Sequence, residues 1–294
     1  MSIATAGYTI NDALVKTLSD AMSMGQVMLL RGIFATMLLA LLAWRSGTFT
    51  HLGRLRQKSV LIRVLCEAGA TTCFLVALFR LPIANVTAIL QVLPLSVTMG
   101  AAFVFSEPVG WRRWCAIAAG LVGVLIIVRP GFEAFSAWSL FALACVGFST
   151  MRDLATRRIS PDTPTVLVST ITALAVTLCG AGLFQPLGGW EPVTLPAISV
   201  LLGAALALVF GYQFVIAALR EGEISFMAPF RYTGLLWALA LGYLIFGDVP
   251  DAAMLLGAAI VVASGLYALY RERIVARKQP ISESTGPGMA PTGT

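Results

Sequence analysis

An arginine two residues after a proline, inside an apolar run long enough to cross a bilayer, is the feature of this chain with most chemical content. Arg231 and Pro229 lie in 224–246, ISFMAPFRYTGLLWALALGYLIF. Hydrocarbon solvates neither the charge nor the backbone carbonyl that the proline leaves without a donor, so both call for a partner or a ligand. The counterpart of Arg231 is Gln91 in 83–105, IANVTAILQVLPLSVTMGAAFVF, where Pro94 again interrupts the helix. The segments leading into the two, 74–80 and 214–220, hold the same register, so the chain matches itself at a shift of about 140 positions, the signature of a duplication.

These residues can receive a small zwitterion. Arg231 can attract a carboxylate that Gln91, Tyr8 or Tyr232 orients, and Gln91, Asn11 or carbonyls freed near Pro94 can meet an ammonium group. Each of Gln91 and Arg231 sits about eight residues into its span, which at 1.5 Å per residue is roughly 5 Å from the midplane. The other reading of Arg231 is that it snorkels, or pairs with Asp153 or Glu223. Tyr8 and Phe148 are repeat-related, and with Tyr212 and Trp237 they can offer rings to an aromatic substrate; for any one of them taken singly, packing or an interfacial belt is the simpler explanation. Pro94 and Pro229 are expected hinges. Glu67, inside the third span, can carry a coupling proton or pair with Arg63 or Arg31.

Enzyme chemistry has little to stand on. The five cysteines (66, 73, 115, 145, 179) form no CxxC and are expected to be packing residues, and His51 sits alone in a basic link. Paired carboxylates at metal spacing, or a nucleophile with a base, are not found, so no catalytic residue, metal or cofactor is expected. With 58% hydrophobic and 12% charged residues, the chain reads as a polytopic helical membrane protein. Its expected partners are a small-molecule substrate and the lipid bilayer, with no nucleic acid, and a monomer suffices. The N-terminus has no basic region leading a cleavable apolar core, so no signal peptide is expected to be removed.

The elements that must position these side chains are about ten spans. The first, 3–18, is interrupted by Thr5, Thr9, Asn11, Asp12 and Lys16; hydropathy alone misses it, and Tyr8, Asp12 and Lys16 at successive i, i+4 places are expected to pair along a cavity wall. The rest are 22–44, 60–79, 83–105, 111–128, 138–155, 164–184, 193–219, 224–246 and 252–270. Most of the 20 Lys and Arg residues fall in the links after the even-numbered spans and in the tail, which places both termini in the cytoplasm. Five spans per half reverse the second half, giving an inverted repeat of 1–132 and 133–272, followed by a disordered tail, 273–294. Gly257 with Gly265, and Ala116 with Gly120, read as close-packing faces.

The segments ALFRLPIANVTAILQVLPL (77–95) and AALREGEISFMAPFRYTGL (217–235), with the paired ends FVFSEPVGW (103–111) and LIFGDVPDA (244–252), resemble the EamA-type group of the drug/metabolite transporter superfamily. The resemblance covers nearly the whole chain and is closest to the YddG-type exporters. It implies an all-α fold of two inverted five-helix repeats around a central cavity, and outward movement of aromatic and other large neutral amino acids across a bacterial inner membrane by alternating access. Export of other drugs or metabolites of the superfamily is the alternative, with a membrane-embedded enzyme behind it.

Overall fold

The computed structural model describes residues 2–48, 55–106, 109–129, 136–160, 162–186, 188–221 and 228–278, with backbone alone at 212, 213, 215–221, 228, 229 and 272–278. Its helices are α1 (Ser2–Lys16), α2 (Met24–Arg45), α3 (Lys58–Arg80), α4 (Ile83–Leu90), α5 (Leu93–Val104) and α6 (Trp111–Val128), then α7 (Ser139–Arg157), α8 (Thr165–Leu183), α9 (Leu195–Glu221), α10 (Thr233–Phe246) and α11 (Ala252–Lys278). No strand occurs among the described residues. An all-helical chain is what a bilayer permits, because each helix satisfies its own backbone.

Six helical stretches among the described residues are long and apolar enough to cross a membrane, and Leu195–Gly211 and Phe230–Phe246 are shorter apolar helices. Two helices at equivalent places in the repeat, α1 and α7, fall outside that set. Asn11, Asp12 and Lys16 interrupt one, and Arg152, Asp153 and Arg157 the other. The outer surface of the bundle is apolar: Leu65, Phe103, Leu178 and Leu244 are all more than half exposed. The final helix continues through Lys278, where a disordered tail was expected from 273; the rest of that tail lies outside the described residues.

The spans that carry Pro94 and Pro229 both depart from a continuous α-helix among the described residues. Residues 91 and 92 separate α4 from α5, and Pro94 occupies the first turn of α5, where its missing N–H would have had no partner anyway. In the second half a 3-10 turn, Ala228–Tyr232, precedes α10. The two breaks touch: Gln91 Nε2 donates to the carbonyl oxygen of Tyr232 at 3.3 Å.

The packing partners reveal the symmetry. α2 packs on α8, α6 on α11, α4 on α10, α3 on α7 and α1 on α9. Replacing each span by the one five spans away returns the first three pairs to themselves and exchanges the last two. The self-paired helices run antiparallel. Gly25 meets Phe184 while Gly32 meets Thr177, and Gly120 meets Ser264 while Gly123 meets Gly257. An axis along the membrane normal would leave such pairs parallel, so the two-fold axis lies in the membrane plane and the repeats are inverted.

Small residues permit the close approaches. A Cβ on Gly25 would lie 2.4 Å from the Phe184 Cα, and one on Gly257 2.6 Å from the Gly123 carbonyl oxygen. Gly120 and Gly265 make room for side chains instead of helices: an added Cβ would meet Leu95 Cδ1 at 2.3 Å and the Tyr232 hydroxyl at 1.7 Å, respectively.

Candidate functional site

Between the repeats lies a cavity of about 690 Å³. On α1 the lining residues Thr5, Tyr8, Thr9 and Asp12 are three to four positions apart, and on α7 Cys145, Ser149, Arg152, Asp153 and Thr156 follow the same spacing. One face of each of these helices therefore looks inward. The cavity opens toward the face where the chain begins, since Thr5, Leu39, Arg63, Thr156 and Ser169 lie near the helix ends there.

Two groups of charges line it. Near the mouth, Arg152 Nη1 meets Glu67 Oε2 at 3.1 Å and its Nε donates to Asp153 Oδ1 at 2.8 Å, so one guanidinium ties α3 to α7. Arg63 Nη1 donates to Thr172 Oγ1 at 2.7 Å, joining α3 to α8. Deeper, Arg31 is only 9% exposed. Its Nη1 donates to Asn11 Oδ1 at 3.4 Å, and Asn11 Nδ2 donates to Asp12 Oδ1 at 2.8 Å. Arg31 stands eight residues into α2 from the far face, about 20 Å along the helix from the mouth end at 1.5 Å per residue.

The far face is sealed across the repeats. Lys16 Nζ donates to the Leu81 carbonyl oxygen at 2.6 Å, stands 3.8 Å from Asp248 Oδ2, and sits 5.0 Å above the Phe246 ring. Ser23 Oγ donates to the Gly189 carbonyl at 2.7 Å, and Gln26 bonds the Glu191 backbone through both amide groups. A chamber open at one end, closed at the other and lined by both halves of an inverted repeat suits a solute carrier.

Sequence comparisons agree with that geometry. The model of the EamA-like transporter family matches residues 1–129. The riboflavin transporter of Vibrio cholerae serotype O1 is 30% identical over 207 residues, 69% of this chain and 68% of that protein. The chain belongs to the EamA-like transporter family. Other family relatives are the pseudopaline exporter CntI of Pseudomonas aeruginosa, 23% identical over 89% of this chain and 92% of its own, and the S-adenosylmethionine uptake transporter of Rickettsia bellii, 25% identical over 92% of each. A solved crystal structure shares the fold with a TM-score of 0.59 at 20% identity, covering 93% of this chain and 97% of that one. The relatives named here carry riboflavin, pseudopaline or S-adenosylmethionine in their names. The narrower resemblance to aromatic amino acid exporters therefore rests on the sequence motifs alone.

In this EamA-like transporter the wall holds Tyr8, Asn11, Gln91 and Arg231, expected from sequence to meet substrate, together with Pro94, expected as a hinge, and Glu67, expected as a coupling residue or ion-pair partner. Three expected rings are elsewhere. Phe148 lies one residue, about 100° of helix, from Ser149 on the inward face, and its ring packs against Gly69 while the residue is 38% exposed. Trp237 is 43% exposed and off the wall. Tyr232 is buried, but its hydroxyl fills the space left by Gly265 on α11. The side chains of Tyr212 and Pro229 lie outside the described residues.

The expected ion pairs also differ. Glu67 binds Arg152 instead of Arg63 or Arg31, Asp153 is held by Arg152 and not by Arg231, and Glu223 lies outside the described residues. Lys16 reaches past Asp12 to Asp248, because its long stem carries the ammonium from α1 to the end of α10. Sequence reasoning counted Arg63 and Arg152 among the basic residues of the links and otherwise treated Arg31 and Arg63 as partners for Glu67. The signal for Arg31 was present all the same: a lone cation seven residues inside an apolar 22-residue helix.

Proposed function

We propose that this protein exports large neutral amino acids, aromatic ones among them, from the cytoplasm of a bacterium across its inner membrane by alternating access. The carrying observation is the cavity, whose deep wall presents a cation (Arg31), an anion (Asp12) and an amide (Asn11) together. A zwitterion satisfies both signs at once, whereas a dianionic phosphate would face Asp12 as well as Arg31 and leave charge uncompensated at several kcal/mol per ion. The basic links assign the open mouth to the cytoplasm, so the described state is poised for loading from inside. Pro94 and Pro229, at the two breaks, are the hinges on which access passes from one face to the other.

Rings at the wall are Tyr8 and Phe74, while Phe148, Tyr232 and Trp237 turn away. That observation favours a carrier of amino-acid-like zwitterions with varied apolar side chains over one that demands an aromatic ring. Liposomes containing the purified protein are expected to take up labelled phenylalanine, tryptophan and methionine at least about tenfold faster than aspartate or a sugar phosphate, the rate ratio that 1.4 kcal/mol of discrimination produces. Equal rates for all, or a preference for the phosphate, would overturn the amino-acid reading and leave the transporter fold intact.

A further inference from the structure

The four arginines of the cavity wall differ in what holds them. Arg152 spends its fork on two carboxylates, and Arg63 donates to Thr172. Arg231 belongs to the 3-10 turn at the exposed end of the ninth span. Arg31 is the deepest and most buried of them, and among the described residues no carboxylate forms an ion pair with it. Its hydrogen bond to Asn11, at 3.4 Å, is at the long end for N–H to O and engages one of five donors. A buried guanidinium with donors unspent is costly to keep, and a planar carboxylate matches its fork with two parallel bonds.

Asn11 sets the orientation of the whole corner. Its amide oxygen faces Arg31 and its amide nitrogen is committed to Asp12, so the carboxylate of Asp12 is held beside the guanidinium without closing on it. An α-amino acid carries its two charged groups on one carbon and fits between such poles. Thr87, Gln91, Tyr8 and Phe74 surround the space left for its side chain.

We infer that Arg31, aligned by Asn11, is the carboxylate subsite of this carrier and that Asp12 receives the substrate's ammonium, with Arg231 left as a mouth residue. The inference rests on the amino-acid reading above and names the residues that read the substrate. Its test uses the purified full-length protein in lipid nanodiscs and three probes: phenylalanine, phenethylamine, which lacks the carboxylate, and hydrocinnamate, which lacks the ammonium. Arg31→Gln is expected to weaken phenylalanine and hydrocinnamate by at least about tenfold, the loss that accompanies a hydrogen bond to a charged group, and to leave phenethylamine unchanged. Asp12→Asn should do the converse, weakening phenylalanine and phenethylamine but not hydrocinnamate. Arg31→Lys, which keeps the charge and loses the fork, covers the case in which the glutamine variant does not fold, with the same order of probes and a smaller loss. If all three probes weaken together, or phenylalanine binds Arg31→Gln and Arg31→Lys as tightly as wild type, the assignment is wrong. If wild type binds none of the three, the amino-acid reading itself falls.

Discussion

Asp12 in α1 and Arg152 in α7 occupy the same place in the two repeats, one hundred and forty positions apart, and carry opposite charges. Around Arg152 the protein supplies everything: Glu67 at 3.1 Å and Asp153 at 2.8 Å close the site, and α3 and α7 are tied together by it. Around Asp12 it supplies an amide at 2.8 Å and a guanidinium that stays outside ion-pair reach. Equivalent positions have thus diverged, one into a strut and the other, on the reading proposed above, into a receptor. Charge in a transporter wall is informative only once its partners are counted, because a satisfied cation holds helices and an unsatisfied one waits for a ligand.

The largest expected effect lies on the strut. Arg152→Ala leaves Glu67 and Asp153 facing each other without their cation, and should lower stability by about 3 kcal/mol, seen as a large drop in thermal midpoint in detergent. Replacing both acids by their amides in the same variant should recover much of the loss. An Arg152→Ala protein as stable as wild type would erase the distinction between the two sites and make Arg152 a second substrate ligand.

A smaller effect is expected at the seal. Lys16 sits over Phe246 on the far face much as Arg158 sits 4.9 Å over the Phe105 ring at the mouth, although the position equivalent to Lys16 is Thr156. The far-face set is tighter, with the Leu81 carbonyl at 2.6 Å and Asp248 at 3.8 Å from the same ammonium. Lys16→Ala removes about 1 kcal/mol of closure, enough to raise the far-open population roughly fivefold. A cysteine at Thr87, in a background with the five native cysteines replaced, should then react correspondingly faster with an impermeant maleimide added on the far side. Unchanged labelling would mean that Ser23, Gln26 and their partners around Gly189 and Glu191 hold the far face shut by themselves.

Much of this was legible in the chain, and for physical reasons. Proline inside an apolar run removes a helix hydrogen bond, so departures from regular helix near Pro94 and Pro229 could be read directly, as could most of the spans and their inversion. The helix boundaries agree within a few residues except in the last two spans, where the α-helix of 224–246 begins only at Thr233 and that of 252–270 runs on to Lys278. The site was legible only where a polar residue had no alternative: Asn11 and Gln91 sit in spans and need partners, and both line the cavity. Among the described rings only Tyr8 lies on the wall as expected. Phe148, Tyr232 and Trp237 are compatible with lipid, with a neighbouring helix and with a substrate alike. Only the rotation of α7 and α10 against α3 and α11 decides between these, and that rotation depends on contacts far apart in sequence, such as Gly69 with Phe148 and Gly265 with Tyr232. Arg31 and Arg152 were visible as charges, but which of them the protein itself neutralises depends on α3 meeting α7.

The most direct measurement follows the guanidinium signals themselves. In protein carrying nitrogen-15 arginine, with Arg31, Arg152 and Arg231 assigned by single Arg→Lys variants, phenylalanine is added and the side-chain N–H resonances are recorded. The Arg31 resonances should move and sharpen as two parallel bonds to a carboxylate form, while those of Arg152 stay where Glu67 and Asp153 hold them. Movement at Arg152 or Arg231 with Arg31 unchanged would contradict the division of labour between the two repeats and place the substrate's carboxylate at the mouth instead.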